Sequence, residues 1–175
     1  MHRFLLLVTA LAALVPAAAM ARSQAQLDCA VRRVPAGLGD NLAAAMVASD
    51  RIRLSPLQET LARAMRPCVA ANRMRDAEAE AYYDYLLARL PREALARQLA
   101  RAGIATQRID AAMGFGPGRT NQAMADMDET EAARATAALA AAGIDEKRLP
   151  AANWRKVMTY IDLTARMYRT LPALN

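Results

Sequence analysis

The chain has 175 residues, 55% of them hydrophobic and 5% aromatic, and its 23 basic and 17 acidic side chains give a net charge of +6. That apolar content supports one packed domain and excludes a disordered, strongly charged polypeptide. A single histidine, His2, and two cysteines, Cys29 and Cys68, limit the chemistry before any element is placed.

Residues 1–21 read MHRFLLLVTALAALVPAAAMA. His2 and Arg3 form a short positive start, and the run from Phe4 to Val15 is mostly apolar. Pro16 breaks the run, and Ala19-Met20-Ala21 supplies small residues for a signal peptidase. This pattern predicts a secretory leader cleaved after Ala21. An uncleaved membrane anchor is the alternative, but the run is short for a full span. Gln26-Leu27-Asp28 before Cys29 does not suit a lipid-modified cysteine, which needs small or apolar residues there.

Cleavage would leave one helical domain over residues 22–175, with 22 basic and 17 acidic side chains and a charge of +5. It would also leave no histidine. That excludes a Ser-His-Asp or Cys-His nucleophile, a histidine-bound zinc and a histidine-bound haem. Arginine dominates the basic residues and alanine is abundant, a bias typical of a GC-rich bacterial genome. The expected location is therefore the bacterial periplasm or the exterior. In an oxidising compartment Cys29 and Cys68 are expected to pair.

Along the body the apolar spacing is helical throughout, and no segment alternates as a strand does. Ser55-Pro56-Leu57-Gln58 reads as a capping box with proline in the first turn, so a helix is expected from Ser55. Pro67 is expected to kink or end it. Asp76 begins the next helix, with Tyr82, Tyr83, Leu86, Leu87 and Leu90 leaning inward. Pro91 restarts the chain, and Leu95, Leu99 and Ala102 continue an apolar stripe. A last helix runs from about Pro150 or Asn153 to Leu171. The fold class is all-α, with five to seven helices and one disulfide.

LARAGIATQRIDAAM (99–113) and LAAAGIDEKRLPAAN (139–153) repeat an Ala-Gly-Ile core forty residues apart. Each reads as a corner: a helix closed by Gly103 or Gly143, an isoleucine folded back, then Thr106 or Asp145 capping a short helix. Two copies do not make a solenoid. A DNA-reading helix-turn-helix shares this outline, but the leader argues against nucleic acid.

Four constellations could carry chemistry. Asp76, Glu80 and Asp84 form an acidic stripe at i, i+4, i+8, able to bind a cation or to act as acid and base on a glycan. Met124 and Met127 have thioether spacing that suits Cu(I), although methionines more often pack in cores. Asp128 and Glu131 beside them form a capping box. GFGPGRTN (114–121) offers glycine amides and Arg119 to an anion, but reads more simply as a connector. Arg97, Arg101 and Arg108, with Arg89 and Arg92 nearby, suit anionic lipid or cell-wall polymer, and otherwise form a solvated face.

The function expected is a non-catalytic exported binding or interaction module without a cofactor. Its partner would be an envelope protein or a cell-wall or lipid component, with no nucleic acid. The alternatives are a carboxylate-dependent glycan enzyme and an anionic membrane-surface binder.

Overall fold

The computed structural model describes residues 22–174, so the expected leader over residues 1–21 lies outside the described part. Seven α-helices follow in order: α1 (Gln24–Leu27), α2 (Leu38–Val47), α3 (Arg51–Ala71), α4 (Asp76–Arg101), α5 (Thr106–Met113), α6 (Glu129–Ala141) and α7 (Ala151–Thr170). Short 3-10 turns lie at Met124–Asp126 and Leu171–Leu174. No strand occurs among the described residues.

The central element is α4, which packs on α7, α2 and α3. Tyr82, Leu86, Leu95 and Leu99 of α4 are fully buried, as are Leu42 and Ala43 of α2 and Val157, Tyr160 and Ile161 of α7. Gly39 allows α2 its close approach: a Cβ there would stand 2.9 Å from the Leu90 carbonyl oxygen. Backbone meets backbone at that point, which only glycine permits.

The expected disulfide is present. The Cys29 and Cys68 sulfurs are 2.06 Å apart, and the bridge ties the turn after α1 to α3. Its loop spans 39 positions. Closing a loop of that length in the unfolded chain corresponds to about 4 kcal/mol of stabilisation.

The repeated corner is a shared helix stop. Gly103 and Gly143 adopt φ of 76° and 83°. The Ile104 N–H donates to the Leu99 carbonyl, and the Ile144 N–H donates to the Leu139 carbonyl, both at 2.9 Å. Each glycine N–H donates to the carbonyl three residues back, completing the paired bonds of a Schellman stop. Both isoleucines then fold into the core. Beyond that point the copies diverge. After the first, α5 begins at Thr106 with Ala105 as its cap, so Thr106 is not the capping residue. After the second, Asp145 caps only a turn: its carboxylate accepts from the Lys147 N–H at 2.9 Å, and no helix forms before Pro150.

Proline punctuation produced three departures from the sequence expectation. Helix α3 begins at Arg51, capped by Asp50, whose side chain accepts from the Arg53 N–H. Ser55 is therefore interior rather than a cap. The helix also continues through Pro67 to Ala71. Both Pro56 and Pro67 are exposed. The carbonyls that lose an N–H partner there face the water side, where solvent replaces the bond. In α4 the helix runs unbroken through Pro91. That ring is buried, and packing against α2 and α7 outweighs the intrinsic cost of an interior proline, about 3 kcal/mol.

Candidate functional site

Polar side chains gather at three places: one cluster between α4, α5 and α7, one where the N-terminal segment meets α4, and the outer face of α3.

The first cluster centres on Arg92, one residue after the buried Pro91. Its Nε donates to Thr164 Oγ1 at 2.9 Å. Its Nη2 donates to Asp110 Oδ2 at 3.1 Å and to the Tyr160 hydroxyl at 2.6 Å. The guanidinium carbon stands 4.8 Å from the Tyr160 ring centroid, within cation–π range. In turn the Tyr160 hydroxyl donates to the Asp110 carboxylate at 3.0 Å. Burial pushes the Tyr160 phenol up to about 12. Burial also raises the Asp110 carboxyl, with Arg92 opposing. A carboxyl, a phenol and a guanidinium are suited to proton transfer, but here each is engaged by the others. No pocket opens among the described residues. The cluster acts as a polar clamp joining three helices.

At the second, the Tyr82 hydroxyl accepts from the Ala30 N–H at 3.1 Å and donates to the Leu27 carbonyl at 3.0 Å. Arg89 bridges Asp28 at 2.6 Å and Glu93 at 2.7 Å, with Tyr85 beside it. Burial opposes the Arg89 charge, but its bonds to Glu93 and Asp28 outweigh burial and raise its pKa. The Arg89 hydrogen bond in turn lowers the Asp28 carboxyl. Near the start of α4, Glu78 pairs with Arg22 at 3.1 Å and Arg75 at 3.3 Å. Hydrogen bonds from the Arg75 backbone and side chain hold the Glu78 carboxyl down at about 2.

Residues singled out from the sequence are dispersed. Of the acidic stripe, Asp76 and Glu80 are exposed, whereas Asp84 pairs with Arg166 of α7 at 2.6 Å. The stripe lines no cleft. Met124 packs on the core from a 3-10 turn, and Met127 is half-buried after it. The Met124 N–H donates to Asp162, whose carboxyl is raised by burial and by the nearby Asp126. Asp126 itself pairs with Arg169. Asp128 and Glu131 form the expected capping box of α6. In the glycine loop, Asn121 takes the place an anion would need. Its side chain accepts from the Gly116 N–H and donates to the Gly116 and Arg119 carbonyls. Arg97 pairs with Asp40 of α2 at 3.2 Å, while Arg101 and Arg108 are exposed on α4 and α5.

The basic surface lies elsewhere. Residues 22–75 hold nine arginines against four carboxylates, a balance of +5, and residues 76–175 hold thirteen basic against thirteen acidic side chains. Every unit of net charge outside the leader thus sits in the N-terminal part. On α3, Arg51, Arg53, Arg63 and Arg66 are exposed and form no ion pair among the described residues. Ile52, between the first two, is 88% exposed. A charge count by segment would have found this face from the sequence. The Arg92 cluster left a weaker signal, Tyr160 and Thr164 one turn apart on the apolar side of α7.

No protein-family model matches this chain, and neither a curated protein nor a solved structure matches it.

Proposed function

We propose that the protein is an exported, non-catalytic interaction module that engages an anionic partner through the outer face of α3. The observation that carries this reading is the confinement of the net charge outside the leader to residues 22–75, with four arginines along one helix that form no ion pair among the described residues. Opposite charges attract over distances set by ionic strength, about 8–10 Å near physiological salt. A surface of one sign therefore selects and steers partners of the other. Export rests on the pattern of residues 1–21. The interaction role is supported by the way the central polar groups are used: Arg92, Asp110 and Tyr160 bond to one another across three helices, and Arg89 is held by Asp28 and Glu93.

Two variants of equal net charge test the reading. One replaces Arg51, Arg53, Arg63 and Arg66 with glutamine; the other replaces the exposed Arg101, Arg108, Arg134 and Arg155. On a phosphate-bearing cation-exchange matrix, the α3 variant should elute at clearly lower salt than its charge-matched control. Equal elution would remove α3 as the interaction face.

A further inference from the structure

We propose that the partner of the α3 face is an anionic phospholipid bilayer, with Ile52 entering its interface and the arginines holding phosphate headgroups. This rests on the reading of α3 as the interaction face and goes further by naming what lies against it. Twenty-one residues at about 1.5 Å each make α3 roughly 30 Å long. At helical spacing Ile52, Ser55, Pro56, Glu59, Arg63 and Arg66 fall on the outward side, opposite the fully buried Leu61 and Cys68. Arg51 and Arg53 flank Ile52. The arginines form two groups, Arg51 with Arg53 and Arg63 with Arg66, about 15 Å apart along the helix, so the four do not surround one small anion. Their layout fits an extended anionic surface.

Ile52 then selects among such surfaces. It is the exposed large hydrophobic residue of the described chain. A polysaccharide or a polyphosphate chain offers guanidinium groups their anions, but offers the isoleucine side chain only water and polar groups. A bilayer presents phosphates and, a few ångströms deeper, hydrocarbon. An interfacial helix uses both at once, with its apolar residues about 5–10 Å into the boundary and its arginines at headgroup level. Ser55 and Pro56 are compact and occupy the next turn of this face. Glu59 is the one carboxylate on it and reduces the attraction.

The test is co-sedimentation of protein recovered after export, disulfide intact, with two kinds of vesicle: phosphatidylcholine alone, and phosphatidylcholine mixed with phosphatidylglycerol. Binding should appear only with the mixed vesicles and weaken with added salt. The double variant Arg63→Gln/Arg66→Gln should lower affinity about 25-fold, at about fivefold per arginine. Ile52→Ser should lower it about tenfold while leaving elution from the phosphate matrix unchanged. Ile52→Trp should tighten it. These positions are exposed, and an unchanged far-UV circular dichroism spectrum checks that the fold is kept. No binding to the mixed vesicles at low salt overturns the proposal. Vesicle binding indifferent to Ile52→Ser also overturns it and leaves a polyanion or an acidic protein as the partner. Loss of vesicle binding alone, with the α3-dependent elution retained, separates failure of the lipid assignment from failure of the interaction reading.

Discussion

Helices α3 and α4 are the two longest among the described residues, and both contain interior proline. Their roles are opposite. Within α4, ten residues are buried, and arginines at 89 and 92 reach carboxylates on other elements. Within α3, only Leu61 and Cys68 are buried, and four arginines are exposed with no ion pair among the described residues. Neither helix length nor proline content sets a helix's role. Position in the packing does. A helix surrounded by others must satisfy its charges internally, because an unpaired charge out of water is costly. A helix covered on one side can leave them for a partner.

The largest expected effect comes from releasing α3. The double variant Cys29→Ala/Cys68→Ala removes its staple to the N-terminal segment and should cost about 4 kcal/mol at most, less if the reduced chain keeps residual structure. Denaturant unfolding measures it, and a change under about 1 kcal/mol would show that packing alone fixes α3. On the α4 side, Arg92→Ala leaves Asp110 and Tyr160 without their cation. Full burial would make this a loss of about 3–5 kcal/mol, and the partial exposure of the pair reduces it to about 2–3. Thermal unfolding of Arg92→Ala beside Arg63→Ala would sharpen the contrast, since the α3 substitution should stay within about 0.5 kcal/mol. An equal loss from both would break it.

A smaller change tests how α2 sits on α4. Gly39→Ala pushes a methyl against the Leu90 carbonyl and should cost about 1–3 kcal/mol. The same substitution at Gly116, where the nearest atom to an added Cβ is the Arg119 side chain at 3.8 Å, meets no such contact.

Acid unfolding probes the junction between the two helices. The Glu78 carboxyl is lowered in the folded protein to about 2 from its usual value. Its contribution is therefore present above the unfolded carboxylate pKa and disappears as pH falls toward about 2. The Tm difference between the native protein and Glu78→Gln should shrink across that window. Asp110 and Asp162 are shifted the other way, upward by burial. For them stability is greatest below the unfolded pKa and is lost as pH rises through the folded value. The Tm of Asp162→Asn should therefore improve relative to the native chain over that rise. A Glu78→Gln difference that did not change with pH would show that its bonds to Arg75 do not shift its ionisation.

Much of the fold was legible in the residues. Helical spacing without alternation gave the all-α class, and the lone cysteine pair gave the bridge. The Ala-Gly-Ile echo gave two helix stops with matching hydrogen bonds, and the Asp128/Glu131 capping box appeared where the spacing placed it. Ser55, Pro67 and Pro91 are local signals that their surroundings override. Asp50 was a competing cap one turn earlier, and prolines end helices only when nothing else stabilises continuation. The candidate sites were less legible. The acidic stripe is a regular pattern on one helix, yet Asp84 is drawn away by Arg166, 82 positions later.

The sequence by itself determined the all-helical class, the two glycine stops, the cap of α6 and the staple, because caps, glycine stops and apolar periods act within a few residues. It also contained the charge division between residues 22–75 and the rest, since charge is additive along a chain. Only the tertiary structure decided which arginines are partners of the core and which remain outward. Arg92 meets Asp110, Tyr160 and Thr164 across 18 to 72 positions, and such encounters depend on how helices pack. Burial then fixed the difference, forcing charges inside the bundle to pair and leaving those on α3 in water.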